Sequence, residues 1–325
     1  MNIATTTVGA LLLAATPAFS AGFERVSVPD PNGAALEVGI WYPSDAPAAS
    51  QQLGAYTQSV ATGGAITGRN LPLIVMSHGS GGSFEGHYDT AIALAEAGFV
   101  VAAVTHTGDN YRDGSGFTHI ENRPRHIKAL VDYMLATWPK HDLIDARGIG
   151  IFGFSAGGST ALVAIGGVPD MTKVAPYCAA HPDEWACQKA KEYPAHPSAP
   201  PEAFVHDARI KAAVIAAPAL GFTFSPEGLS KVTAPIQLWR GDSDEMLPQP
   251  RHAQIVYDGL AAKPEYHVVP NAGHFAFLAP CTPMLRQYAP AMICRDPAGF
   301  DRTAFHREFN PAVVAFFKAK LPAQP

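Results

Sequence analysis

The pentapeptide Gly153-Phe154-Ser155-Ala156-Gly157 constrains the fold of this chain more than any other feature. It follows the apolar run Gly148 to Phe152 and precedes Ser155 to Ile165, a small-residue stretch that reads as a helix. A G-x-S-x-G run between a strand and a helix marks a sharp turn that lifts the serine hydroxyl above a sheet. Glycines on either side leave room for the backbone to close. The helix beginning there aims free N–H groups and its positive dipole end at any negative charge that develops nearby.

The rest of the chain alternates in the same way. Buried strands are expected at Leu71 to Met76, Phe99 to Val104, Ile210 to Ala216, Ile236 to Arg240 and Tyr266 to Val269. Helices are expected at Tyr88 to Ala97, Pro124 to Thr137, Arg251 to Ala261 and Ala304 to Lys320. Such alternation implies an α/β fold with a mostly parallel central sheet flanked by helices on both faces. Ala21 to Tyr42 adds antiparallel edge strands, and Ala46 to Asn70, rich in Ala, Gly, Ser, Thr and Gln, reads as a surface loop. The proline-rich stretch 168–207 lacks clear periodicity. An insertion that long is expected to be a lid over the site, with a solvated excursion as the alternative.

Hydrophobic residues make up 47% of the chain and the net charge is only −5, which excludes a disordered chain. No basic stripe suits nucleic acid. At the N-terminus, Met1 to Thr7 is polar, Val8 to Ala15 apolar, and Ala18-Phe19-Ser20 offers the small residues that a signal peptidase reads, although no Lys or Arg precedes the apolar run. Residues 1–20 are therefore expected to be a signal peptide and 21–325 the folded domain, periplasmic or secreted. The apolar run is too short for stable membrane insertion. Four cysteines permit three pairings, and pairing of sequence neighbours favours Cys178 with Cys187 and Cys281 with Cys294. An oxidising compartment would preserve both bridges. The spacings do not repeat the CxxC pattern of zinc sites, and no metal is expected.

Three further segments carry chemistry. His78-Gly79-Ser80-Gly81-Gly82 follows the first core strand. Acyl transfer passes through an oxyanion that needs two preorganised donors; the N–H groups of Ser80 and Ala156 are the candidates, with His78 ordering the loop. Gly241-Asp242-Ser243-Asp244-Glu245 places an acid at a strand's carboxyl end, where open α/β sheets bind ligands. Asp244 is the first choice there and Asp242 the reserve. Of thirteen histidines, His267 falls in a strand, His252 in a helix and His306 near the C-terminal helix, whereas His274 sits in a glycine-preceded loop after the last strand. Phe84, Phe154, Tyr177, Trp185, Phe275 and Phe277 are candidates to line an apolar substrate pocket, with core packing as the competing role.

The order Ser155, Asp244, His274 is that of α/β-hydrolases, and with these motifs the chain resembles that superfamily from about Leu71 onward. Within it the chain is similar to dienelactone-hydrolase-related and platelet-activating-factor-acetylhydrolase-like serine esterases. The resemblance implies Ser155 as nucleophile, Asp244 as acid and His274 as base, acting on a small-molecule carboxylic ester through an acyl-enzyme without a cofactor. Dienelactone hydrolases carry cysteine where this chain has Ser155. The chain also resembles bacterial cutinases and polyester hydrolases in its paired late cysteines, but Ser80 and Ala156 stand where those enzymes carry an aromatic residue and Met. Lactone, amide or peptide hydrolysis on the same fold, and a non-catalytic binding protein, are the alternatives.

Overall fold

The structure, a computed structural model, describes residues 19–193 and 197–322. Most of the expected leader, residues 1–18, lies outside the described residues. Among the described residues ten strands form one sheet: β1 (Ser20–Val28), β2 (Leu36–Ser44), β3 (Ala49–Leu53), β4 (Tyr56–Thr62), β5 (Leu71–Ser77), β6 (Val100–Thr105), β7 (Ile144–Phe154), β8 (Ile210–Ala216), β9 (Ile236–Gly241) and β10 (Glu265–Val269). Their spatial order is β10-β9-β8-β7-β5-β6-β2-β1-β4-β3. The six strands from β10 to β6 run parallel, while β2 pairs antiparallel with both β6 and β1. The sheet is thus mostly parallel, as the alternating pattern implies.

The helices are α1 (Tyr88–Glu96), α2 (Asn122–Ala136), α3 (Ala156–Ala164), α4 (Val174–Ala180), α5 (Trp185–Ala190), α6 (Pro226–Leu229), α7 (Ala253–Gly259), α8 (Pro283–Tyr288) and α9 (Arg302–Lys320). Side chains of the parallel strands alternate between two cores, because successive residues of a strand point to opposite faces. Leu73, Val75, Ile149, Ile151, Ala213 and Ile215 pack with α2, α3 and α7. Ile74, Met76, Phe152, Phe154, Val214 and Ala216 pack with α1 and α9. Burying each large apolar side chain contributes roughly 1.5–3 kcal/mol, so the strands must be apolar on both faces, which is why they read as continuous runs. From β5 the chain crosses to β6 on one side and returns to β7 on the other. The loops after β5 and β7 therefore diverge at the carboxyl ends of the strands, the place where open α/β sheets bind ligands.

Two sequence expectations need correction. Ala46 to Asn70 is not a plain loop: it contains the hairpin β3–β4, paired from Ala49↔Val60 to Leu53↔Tyr56. Its period-two pattern is masked because one inward position is Gln58, which is buried and accepts from Trp41 Nε1 at 3.0 Å. Gly54, with φ +55°, starts the two-residue turn. β1 and β2 are accordingly not edge strands, since β4 and β3 lie outside them. Within 168–207, α4 and α5 are joined by the Cys178–Cys187 bridge. Trp185 and Tyr193 pack on Phe117, Tyr177 stacks on Phe222 at 3.5 Å, and Glu184 pairs with Arg251 at 2.7 Å. The second bridge joins Cys281 and Cys294, so both sequence-neighbour pairings form. Among the described residues no helix is long and apolar enough to cross a membrane.

Candidate active site

Ser155 sits between β7 and α3 with φ +55° and ψ −118°, a conformation that costs a non-glycine residue of order 1–3 kcal/mol. The two flanking glycines make the turn possible. A Cβ at Gly153 would lie 2.1 Å from the Gly157 carbonyl oxygen, and one at Gly157 would lie 1.9 Å from that of Ser77. Side chains are therefore excluded at both places, and the second contact seats the turn directly against the end of β5.

Two long-range contacts link the Ser155 hydroxyl through His274 to Asp244. His274 Nε2 is 3.0 Å from Ser155 Oγ, and His274 Nδ1 is 2.8 Å from Asp244 Oδ2. The tautomer follows from the network: Nδ1–H donates to the carboxylate, leaving Nε2 to accept from the hydroxyl. Asp244 Oδ1 accepts the N–H groups of Met246 at 3.0 Å and Leu247 at 2.8 Å, which fixes the orientation of the carboxyl group toward His274. His274 and Asp244 are buried, whereas Ser155 is half-buried. The reserve acid Asp242 instead accepts from the Asn271 N–H at 2.6 Å and the Ser243 hydroxyl at 3.0 Å. It braces the turn before His274 and does not reach the imidazole.

The loop after β5 is held by groups that sequence reasoning did not single out. Asp109 accepts from the Gly81 N–H at 3.0 Å and the Ser80 hydroxyl at 3.3 Å, and it pairs with Arg123 Nε at 3.1 Å. Arg123 is 1% exposed and also donates from both terminal nitrogens to the His78 carbonyl at 2.8 Å. Gly81 and Gly82 commit their N–H groups to Asp109 and the Gly79 carbonyl, while the Ser80 N–H meets no acceptor among the described residues. His78 orders this loop, as expected: it is buried, contacts its neighbour's carbonyl through Nδ1 at 2.6 Å, and accepts the His106 N–H through Nε2 at 3.0 Å. Burial first, then the Arg123 charge, pushes both His78 and His106 well below the ordinary histidine range. The only sequence signal for Asp109 was an acid in the loop after a core strand.

The aromatic candidates separate. Phe84 lies in the core with Phe23 and Trp41, 3% exposed. Phe154 is also core, directly against the His274 ring at 4.9 Å, and Phe277 packs behind it at 6.3 Å. Phe275 is half-buried and edge-on to His274 at 5.2 Å, the one of these beside the site and partly open. Tyr177 and Trp185 belong to the insertion. Among the described residues no group of three or more His, Cys, Asp or Glu side chains converges where a metal ion could sit.

A model of the alpha/beta hydrolase family matches residues 74–286, more than half of the chain. The chain belongs to that family. In fold it is similar to a ferulic acid esterase from Streptomyces cinnamoneus, with a TM-score of 0.64 at 21% identity over 96% of this chain and 93% of that one. It is also similar to a dienelactone hydrolase from Anabaena variabilis, with a TM-score of 0.52 at 15% identity over 93% of this chain and 100% of that one. At these identities the likeness is one of fold. No curated protein matches the chain significantly.

Proposed function

We propose that this α/β-hydrolase is a carboxylic-ester hydrolase working through a Ser155–His274–Asp244 triad. The reading rests on one observation above all: the continuous hydrogen-bonded path from Ser155 Oγ through His274 to Asp244 at the strained turn after β7. In the proposed mechanism, His274 takes the Ser155 proton as the oxygen attacks the ester carbonyl, and Asp244 holds the tautomer and steadies the imidazolium. The oxyanion is received by the N–H groups of Ala156 and Ser80, each contributing about 3 kcal/mol to lowering the barrier. His274 then protonates the departing alcohol, and water activated by the same base releases the acid from the acyl-enzyme.

Phe275 is the proposed substrate-facing aromatic residue, and segment 168–207 the proposed lid. Both cysteine pairs are bridged, which fits an oxidising compartment. With residues 1–20 as leader, the proposed location is the periplasm or outside the cell. The test is a panel of p-nitrophenyl esters of increasing chain length, joined by a feruloyl ester because one fold neighbour is a ferulic acid esterase. Turnover of esters but not of matched anilides supports the reading. Turnover of anilides or lactones alone would replace it with an amidase or lactonase.

A further inference from the structure

We propose that His306 is a buried imidazolium, clamped between Asp89 and the Ala276 carbonyl, which positions the turn that carries His274. His306 Nδ1 lies 2.6 Å from Asp89 Oδ2 on α1, and its Nε2 lies 2.8 Å from the Ala276 carbonyl oxygen. A neutral imidazole has one N–H and a carbonyl has none to give. Both contacts are hydrogen bonds only when the Asp89–His306 pair holds two protons. Asn310 Nδ2 also donates to Asp89 Oδ2, at 2.8 Å, and Thr90 orients that amide by donating to its oxygen at 2.7 Å. Burial raises the Asp89 carboxyl, but His306 and Asn310 outweigh it and the net displacement is downward. Asp89 Oδ2 accepts the Asn310 amide and faces Nδ1 with the same atom, the role of a carboxylate, which places the second proton of the pair on the ring.

His87 supplies the contrast within the same turn. Its Nδ1 meets the Phe277 carbonyl at 3.1 Å, but its Nε2 finds no partner among the described residues and the ring lies edge-on to Phe152 and Phe154. Burial lowers its pKa to about 4, so it stays neutral. Two successive carbonyls of the His274–Phe277 turn are thus gripped by one neutral and one charged histidine, and the Ala279 N–H docks on the Gly86 carbonyl beside them. His306 is a positioning residue, since it acts on the reaction only through His274. The other titratable groups around the pair are His87 and Tyr88 beside Asp89, Tyr56 of β4, His274 in the gripped turn, and Arg302 one turn earlier on α9. The clamp is complete only with both ring nitrogens protonated, whereas His274 must keep Nε2 free of a proton to act as base.

This inference rests on the proposed function for its kinetic readout, and the protonation state is read separately. Nuclear magnetic resonance of protein carrying ring-15N histidine, with His306→Gln to assign the signals, is expected to show both His306 nitrogens protonated at neutral pH. Asp89→Asn is expected to make the ring neutral and to lower kcat by about 10- to 100-fold with little change in KM. A singly protonated His306 in the wild type would overturn the clamp. So would a folded Asp89→Asn variant with wild-type kcat. If wild-type protein turns over no ester, the proposed function falls, and the nitrogen signals still decide the clamp.

Discussion

Replacing Gly157 by alanine is the smallest change that strains the whole site. The new Cβ would stand 1.9 Å from the Ser77 carbonyl oxygen, 2.6 Å from the Ser77 carbonyl carbon and 2.8 Å from the His78 carbonyl oxygen. All three are backbone atoms, so no side-chain rotation relieves the overlap. Reaching ordinary contact at 3.4 Å requires the end of β5 and the turn at Ser155 to separate by about 1.5 Å. That movement carries the His78–Ser80 loop away from Ser155, and a displacement of about 1 Å costs on the order of 100-fold in rate. Overpacking a fixed backbone also costs about 1–3 kcal/mol or more. Gly157→Ala is therefore expected to lose at least about 100-fold in kcat/KM for a p-nitrophenyl ester and to unfold at lower urea. Gly86→Ala is the control, because among the described residues beyond its chain neighbours its Cβ meets Leu278 Cδ2 alone, at an ordinary 3.5 Å, and its stability should stay within about 0.5 kcal/mol. A Gly157→Ala protein with wild-type rate and urea midpoint would refute the close seating of the turn on β5.

Three other perturbations follow from the same geometry. Asp244→Asn is expected to lower kcat by about 10⁴-fold by releasing the His274 tautomer, while Asp242→Asn costs less than about tenfold; steady-state kinetics of the two variants decides which acid serves the histidine. Asp109→Asn strips the buried Arg123 of its counter-charge and should cost about 3–5 kcal/mol in urea denaturation, with a fall in kcat as the Ser80–Gly81 turn loosens; an unchanged midpoint would contradict that brace. Burial holds His87, His126 and His252 at about 4, whereas unfolded histidines titrate near 6.5. Below 6.5 the unfolded chain takes up protons that the native chain refuses, so this stability is present above that pH and lost as pH falls toward 4. Each histidine contributes a loss of about 2 kcal/mol at pH 5, which urea midpoints at pH 7 and pH 5 would reveal as a clear drop.

Much of this organisation was legible in the residues because the parallel strands must be apolar on both faces, and G-x-S-x-G forces a turn that few other sequences permit. Asp244 stood out from Asp242 only by position, and the structure separates them by their partners, His274 for one and the Asn271 N–H for the other. The hairpin β3–β4 was hidden because Gln58 takes an inward position through its bond to Trp41, a tertiary contact that no local pattern records. Asp109, Arg123 and the Asp89–His306 pair escaped for the same reason: each acts across 14 to 217 residues of sequence, and a lone buried charge looks like any surface charge until its partner is in place. Phe84 was indistinguishable by type from a pocket aromatic until Phe23 and Trp41 closed around it.

The most direct test of the central claim is to react the protein with a fluorophosphonate, digest it, and map the adduct by mass spectrometry beside Ser155→Ala and His274→Ala. The triad predicts a single adduct on Ser155, absent in the first variant and formed at least about 1,000-fold more slowly in the second. A folded wild-type protein that forms no adduct at Ser155, or labels equally fast without His274, would contradict it.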